Sequence, residues 1–145
     1  MRRRLAFTRG LAFSLIMLML AAMPTPGHAD ADEDVIRSVI NQQIDAFRAD
    51  DGERAFSFAA PVIRSKFGTA ENFMTMVRTG YPDVYRPRAV EFRDLKRDGE
   101  RLIQEVWFLG TDGDSTIGTY FMERQEDGSW KIAGVYLRRA PSLGA

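Results

Sequence analysis

The sequence predicts an α+β domain in which N-terminal helices pack on a four-stranded antiparallel meander sheet. Three observations carry this. Ile36, Ile40, Ile44 and Phe47 recur at helical spacing near the start of the chain. Beyond Pro87 the period changes, and Arg88–Leu95, Arg101–Leu109, Thr116–Arg124 and Trp130–Arg138 are rich in Val, Ile, Phe, Tyr and Trp. Between these runs stand Asp98-Gly99, Asp112-Gly113 and Asp127-Gly128, at intervals of 14 and 15 residues. Asp-Gly is favoured in tight hairpin turns, and connections this short leave no room for crossover helices.

Each element follows from local chemistry. Asp30 to Asp34 is acidic and suits a helix N-terminus, where negative charge meets the positive end of the helix dipole. The first helix is expected from about Asp32 to Ala49, closed by Asp50-Asp51-Gly52. Glu53 to Ala60 reads as a second helix, and Pro61 opens another turn carrying Val62, Ile63 and Phe67. Thr69 can cap the next helix, whose Ala70, Phe73, Met74 and Val77 share one face, with Met76 beside them. Gly80 is expected in the left-handed position that ends it, and Pro82 prevents continuation. In the last strand Trp130, Ile132, Gly134 and Tyr136 alternate with Lys131, Ala133, Val135 and Leu137, so neither face is cleanly apolar. The second strand behaves likewise. A sheet apolar on both sides predicts an interface, with a homodimer as the simplest form.

The N-terminus has the pattern of a secretory signal peptide. Arg2, Arg3, Arg4 and Arg9 form a basic region, and Leu11–Met23 is an uncharged run of 13 residues. That is short of the ~18–20 residues that span a bilayer. Small residues at Gly27 and Ala29 fit cleavage after Ala29, and cleavage after Ala31 fits the same rule. The expected organisation is a signal peptide at 1–29, one α+β domain at 30–140 and a frayed tail at 141–145. The expected location is the periplasm or the exterior, with membrane contact only through the signal peptide.

Composition then excludes whole classes of chemistry. The chain has no Cys, and its one His, His28, lies within the expected leader. A mature chain from residue 30 therefore has neither, which rules out Ser-His-Asp and Cys-His catalysis, thiol redox work, disulfides and nearly all zinc or copper sites. Residues 1–29 hold four of the 20 basic residues and no acidic ones, leaving 16 basic against 20 acidic side chains, a net charge of −4. That balance argues against nucleic acid as a partner. No catalytic residue, cofactor or metal ligand is assigned. Asp112-x-Asp114 lacks the third ligand, glycine spacing and closing glutamate of a calcium loop, so a hairpin turn explains it.

The stretch Phe67–Arg88 (FGTAENFMTMVRTGYPDVYRPR) holds the best candidate ligand site: Arg78, Tyr81, Tyr85, Arg86 and Arg88. Guanidinium groups take carboxylate or phosphate in two-pronged fashion, and phenol rings supply flat contact surface. The expected ligand is a small anion. The competing reading pairs these arginines with Asp83, Glu91 or helix-end carbonyls and gives them an architectural role. The expected partner is either that small anionic ligand or an envelope protein.

The order of elements, with FGTAENF, the GYPDVYRP block and a final DGSWKIAGVYL, resembles an exported bacterial family known as domain of unknown function 4864. The resemblance covers about Asp34 to Leu137. It implies export and a small cystatin-like or nuclear-transport-factor-2-like fold, and brings no established activity. The wider superfamily holds isomerases, cyclases, hydratases and many non-catalytic binding domains. Its ketosteroid isomerases use a carboxylate base with Tyr and a protonated acid as oxyanion donors. The raw material here would be Asp45, Glu91 and Glu105 with Tyr81, Tyr85, Tyr120 and Tyr136. The primary expectation is a non-enzymatic domain that binds a small ligand or a protein; a pocket enzyme of isomerase or hydratase type is the alternative. If the sheet wraps the helices, it leaves a conical pocket at its open end.

Overall fold

The computed structural model describes residues 27–141, with side chains from residue 29. The expected leader up to residue 26 and the expected tail from residue 142 lie outside the described residues. The helices are α1 (Gly27–Arg48), α2 (Gly52–Ser57), α3 (Pro61–Phe67), α4 (Ala70–Gly80) and α5 (Pro82–Tyr85). The strands are β1 (Ala89–Asp98), β2 (Arg101–Leu109), β3 (Ser115–Arg124) and β4 (Trp130–Arg139). They form one antiparallel sheet in the order β1-β2-β3-β4, so the fold class is the α+β meander that the turns and strands predict.

The core is the seam between α1 and one sheet face. Ile36, Ile40, Ile44 and Phe47 are all buried, facing Leu102, Val106 and Phe108 on β2 and Tyr120 and Met122 on β3. Phe73 of α4 gathers three rings, with Phe56 at 5.2 Å, Phe67 at 5.9 Å and Phe47 at 6.1 Å between centroids. The start of α1 is tied to the far end of the sheet, where the Trp130 indole donates to Asp32 at 3.2 Å and Arg97 pairs with the same carboxylate at 3.7 Å. Helix α1 begins at Gly27 rather than at Asp32, since Ala29, Asp30 and Ala31 suit a first helical turn.

The second helix stops at Ser57, short of the expected Ala60, because the residues after it bridge to the sheet. Ala60 N–H donates to Ile132 O at 2.8 Å, and Ile132 N–H donates to Phe58 O at 2.9 Å. The linker thereby pairs in parallel with the edge of β4 at Ala59 and Ile132. Immediately beyond, the β3–β4 register passes from Met122↔Ile132 to Phe121↔Gly134, leaving Ala133 as an extra residue. This bulge explains the mixed faces of the last strand. Trp130 and Ile132 face the core, but after Ala133 the alternation inverts: Val135 and Leu137 pack on the core, and Tyr136 stands 64% exposed outside. A second bulge lies in β1 between Phe92 and Leu95. The buried Gln104 amide fills it, donating to Arg93 O and Glu105 O, each at 2.8 Å.

The three Asp-Gly turns are not equivalent. At the first, Asp98 pairs with Arg101, so Gly99 (φ 60°) and Glu100 form the two-residue loop and Asp98 belongs to the strand. The other two are three-residue loops, closed by Gly110 N–H to Asp114 O and Gln125 N–H to Ser129 O, both 2.8 Å. In each the aspartate accepts from the main-chain N–H two residues on, at 2.9 Å.

Two helix ends exchange the roles that the sequence predicts. Thr69 caps α4 as expected, accepting from Asn72 N–H at 3.1 Å. Gly80, however, is the last helical residue of α4, without a positive φ, and the chain leaves through Tyr81 (φ −135°). Tyr81 precedes Pro82, which disfavours the helical region for it, and Pro82 at once opens α5, a helix the sequence reading passes over. The left-handed glycine is instead Gly68 (φ 73°), which ends α3. Gly68→Ala should therefore cost about 1–2 kcal/mol in urea unfolding. Gly80→Ala, whose new methyl meets nothing within 4 Å, should stabilise by roughly 0.5–1 kcal/mol. Equal effects of one sign would contradict this assignment.

Candidate functional site

A cavity of about 490 Å³ lies between the helices and β4. One side is built by Gln43 and Phe47 of α1, and another by Val62, Ile63, Lys66 and Phe67 of α3. Phe73, Met76 and Val77 of α4, with Tyr81 and Val84, form the roof, and Ile132 to Val135 form the strand wall. Its existence follows from the β4 edge. The linker covers the strand only as far as Ile132, and the next contact on that edge is the Tyr81 hydroxyl, which donates to Val135 O at 3.2 Å. Between these two fastenings lies the bulge at Ala133, and Ala133 and Gly134 line the cavity.

Three polar side chains break the apolar lining, and two are already engaged. Gln43 donates from its amide nitrogen to Ala55 O at 3.1 Å, and Tyr81 is spent on Val135. Lys66 is exposed, with its ammonium 5.6 Å from the Phe67 ring centroid, and makes no ion pair among the described residues. Sequence reasoning missed Gln43 and Lys66. Gln43 had a legible signal, since it falls on the buried stripe of α1 between Ile40 and Phe47. Lys66 had none, as a lysine beside a helix end is ordinary surface.

The five residues expected to form one site are distributed over three places. Arg78, Tyr85 and Arg86 meet at Asp50. Arg86 reaches Asp50 Oδ2 at 2.7 Å and Arg48 O at 2.9 Å, Arg78 reaches Asp50 Oδ1 at 3.5 Å, and the Tyr85 hydroxyl donates to the same carboxylate. Both guanidiniums also lie over the Tyr85 ring, Arg86 at 4.8 Å and Arg78 at 5.7 Å from its centroid. Tyr81 alone lines the cavity. Arg88 is exposed at the foot of β1, where its main-chain N–H donates to Leu109 O at 2.8 Å. Pairing with a carboxylate and a helix-end carbonyl is thus realised, but through Asp50 and Arg48 rather than Asp83 or Glu91. Asp83 instead accepts from the Thr116 hydroxyl at 2.5 Å, joining α5 to β3.

The residues of the isomerase-type alternative do not converge either. Asp45 pairs with Arg48 on the outside of α1, while Glu91 pairs with Arg93 and Glu105 with Arg138 on the outer sheet face. Tyr120 is fully buried in the core, its hydroxyl without a partner among the described residues, and burial pushes its pKa well up. Tyr136 is on the outer face. No carboxylate lines the cavity among the described residues, so a base paired with Tyr81 is not available there.

Asp50 has a testable electrostatic signature. It sits in the left-handed region (φ 54°), uncommon for a residue with a side chain but tolerated by Asp. The Tyr85 hydrogen bond first, and then the Arg86 charge, hold its carboxyl below the ordinary value of 3.8. Its contribution to stability is complete above that value and is lost as pH falls through the depressed one. A carboxyl-carbon NMR titration should place the Asp50 midpoint below 3.8, with Tyr85→Phe raising it. A midpoint at or above the ordinary value in the unaltered protein would mean that the cluster does not form.

Comparison with known proteins adds little about chemistry. No curated protein matches the chain. Among solved structures it is similar to an NTF-2 like protein of unknown function from Burkholderia xenovorans LB400, at 20% identity and a TM-score of 0.48, over 78% of this chain and 88% of that one. The family comparison matches residues 29–145, a wider span than the Asp34–Leu137 motifs. The chain belongs to the family described as domain of unknown function DUF4864.

Proposed function

We propose that this protein is a non-enzymatic, exported domain that holds a small, mainly apolar ligand in the cavity between its helices and sheet. The cavity itself carries the reading. Its volume of about 490 Å³ falls within the ~300–1,000 Å³ usual for small-molecule sites, and an apolar lining with a few polar groups is the usual composition. Export rests on the basic and apolar pattern of residues 1–29, and places the ligand in the periplasm or outside the cell. That no carboxylate lines the cavity among the described residues favours binding over proton-transfer chemistry. Mass spectrometry of protein purified without denaturation should find a retained small molecule. Val62 stands 58% exposed at the cavity lip, so Val62→Trp should narrow the entrance and reduce the retained fraction at least tenfold without lowering Tm. Empty protein from every preparation, together with no uptake of apolar probes, would refute the reading.

A second reading concerns the outer sheet face, where Ile103, Trp107, Ile117 and Phe121 are only half-buried and surround the exposed Tyr136. These side chains lie on neighbouring positions of β2, β3 and β4, with the Glu105–Arg138 pair at 3.3 Å among them. An apolar patch rimmed by charge is the form of a self-association surface, and we read it as a homodimer face. Sedimentation equilibrium should give a dimer that Tyr136→Glu converts to monomer. A monomer at high concentration in the unaltered protein would remove this reading.

A further inference from the structure

We infer that the cavity ligand is a single-chain amphiphile whose apolar tail enters the cavity and whose anionic head stays at the mouth against Lys66; this rests on the cavity being the ligand site. Four observations converge. Lys66 is the one charged residue lining the cavity among the described residues. It makes no ion pair there, whereas Arg78 and Arg86 are committed to Asp50 and Arg64 lies over the Phe56 ring at 5.3 Å. An exposed ammonium with no carboxylate at an apolar lip is a counter-charge in position for an incoming anion.

The interior cannot satisfy a charged head. The Tyr81 hydroxyl donates to Val135 O and one Gln43 N–H donates to Ala55 O. What Gln43 has left is one N–H and its carbonyl oxygen, a single donor beside an acceptor that repels an anion. A buried charge without partners is strongly disfavoured, so the head must remain where Lys66 and water reach it. The walls, by contrast, are Phe47, Ile63, Phe67, Phe73, Met76 and Val77, which offer continuous contact to an alkyl chain. Exposed Val62 extends the same apolar surface out to the lip. Polarity therefore runs from an apolar interior to a cationic rim, the gradient that an anionic amphiphile matches end to end.

Both a bare carboxylate and a phosphate-bearing lipid headgroup have this chemistry. Titration calorimetry on the purified protein, freed of retained ligand, separates the cases with decanoate, decanoyl lysophosphatidylglycerol, decanol and decyltrimethylammonium. At least one anionic probe should bind ten or more times more tightly than decyltrimethylammonium and more tightly than decanol; which one does so identifies the head. From octanoate to decanoate, affinity should rise roughly fourfold per methylene as each enters the cavity. Lys66→Glu should abolish the preference for the anion while leaving decanol binding within about twofold, and Lys66→Arg should retain it. Decanol binding as tightly as both anions, or a Lys66→Glu protein that still prefers them, overturns the anionic-head inference and leaves the cavity reading intact. Failure of all four probes to bind overturns both.

Discussion

The arrangement depends on two main-chain hydrogen bonds between the α2–α3 linker and Ile132 of β4. An edge strand offers unpaired N–H and C=O groups, and covering them is a general requirement of sheet proteins. Here the cover is the chain's own Phe58–Ala60: Phe58 still has helical dihedrals as the C-cap of α2, and the chain leaves helical conformation after it to meet Ile132. That choice fixes where the helical layer sits over the sheet. It also ends abruptly, because the bulge at Ala133 shifts the next edge groups out of line. Tyr81 closes the edge again at Val135, three residues further on. The cavity is the space between these two fastenings, with Ile132 to Val135 as its strand wall.

The second organising contact is electrostatic and lies at the end of α1. Asp50 is an internal anion for Arg78 and Arg86, with Tyr85 donating to it and both guanidiniums resting on the Tyr85 ring. Although the groups are exposed, their shared geometry joins α1, α4 and α5 at one point. Pair energies at such surfaces are small, so the effect is on orientation: the cluster sets how α4 turns into α5. Orientation of that joint places Tyr81 and Val84 at the cavity. Of the Arg and Tyr residues of Phe67–Arg88, Arg78, Tyr85 and Arg86 thus join helices at Asp50, and Tyr81 lines the cavity.

Features with a short period were legible in the sequence. The stripe of α1, the Thr69 cap, the four strands and the three turns each rest on residues within a few positions of one another. What was not legible depends on long-range choices. A bulge has no compositional mark, so the inversion of β4 after Ala133 could not be read from its alternation. Asp50 meets Arg86 across 36 positions, and nothing local distinguishes it from the neighbouring Asp51, which caps α2 instead. Gly80 and Gly68 were exchangeable on sequence, because both follow helical patterns; only the proline two residues after Gly80 made left-handed geometry unnecessary there. The site was least legible of all, since a cavity is defined by where backbone pairing stops.

The linker clamp on Ile132 holds the helices at the distance that keeps the cavity open. Amide hydrogen exchange read residue by residue tests it most directly. Ala60 and Ile132 N–H should exchange as slowly as the core strand amides of Val106 and Tyr120, opening only with global unfolding. If they exchange as rapidly as the hairpin at Gly99 and Glu100, the linker is not clamped and the account of the cavity is wrong.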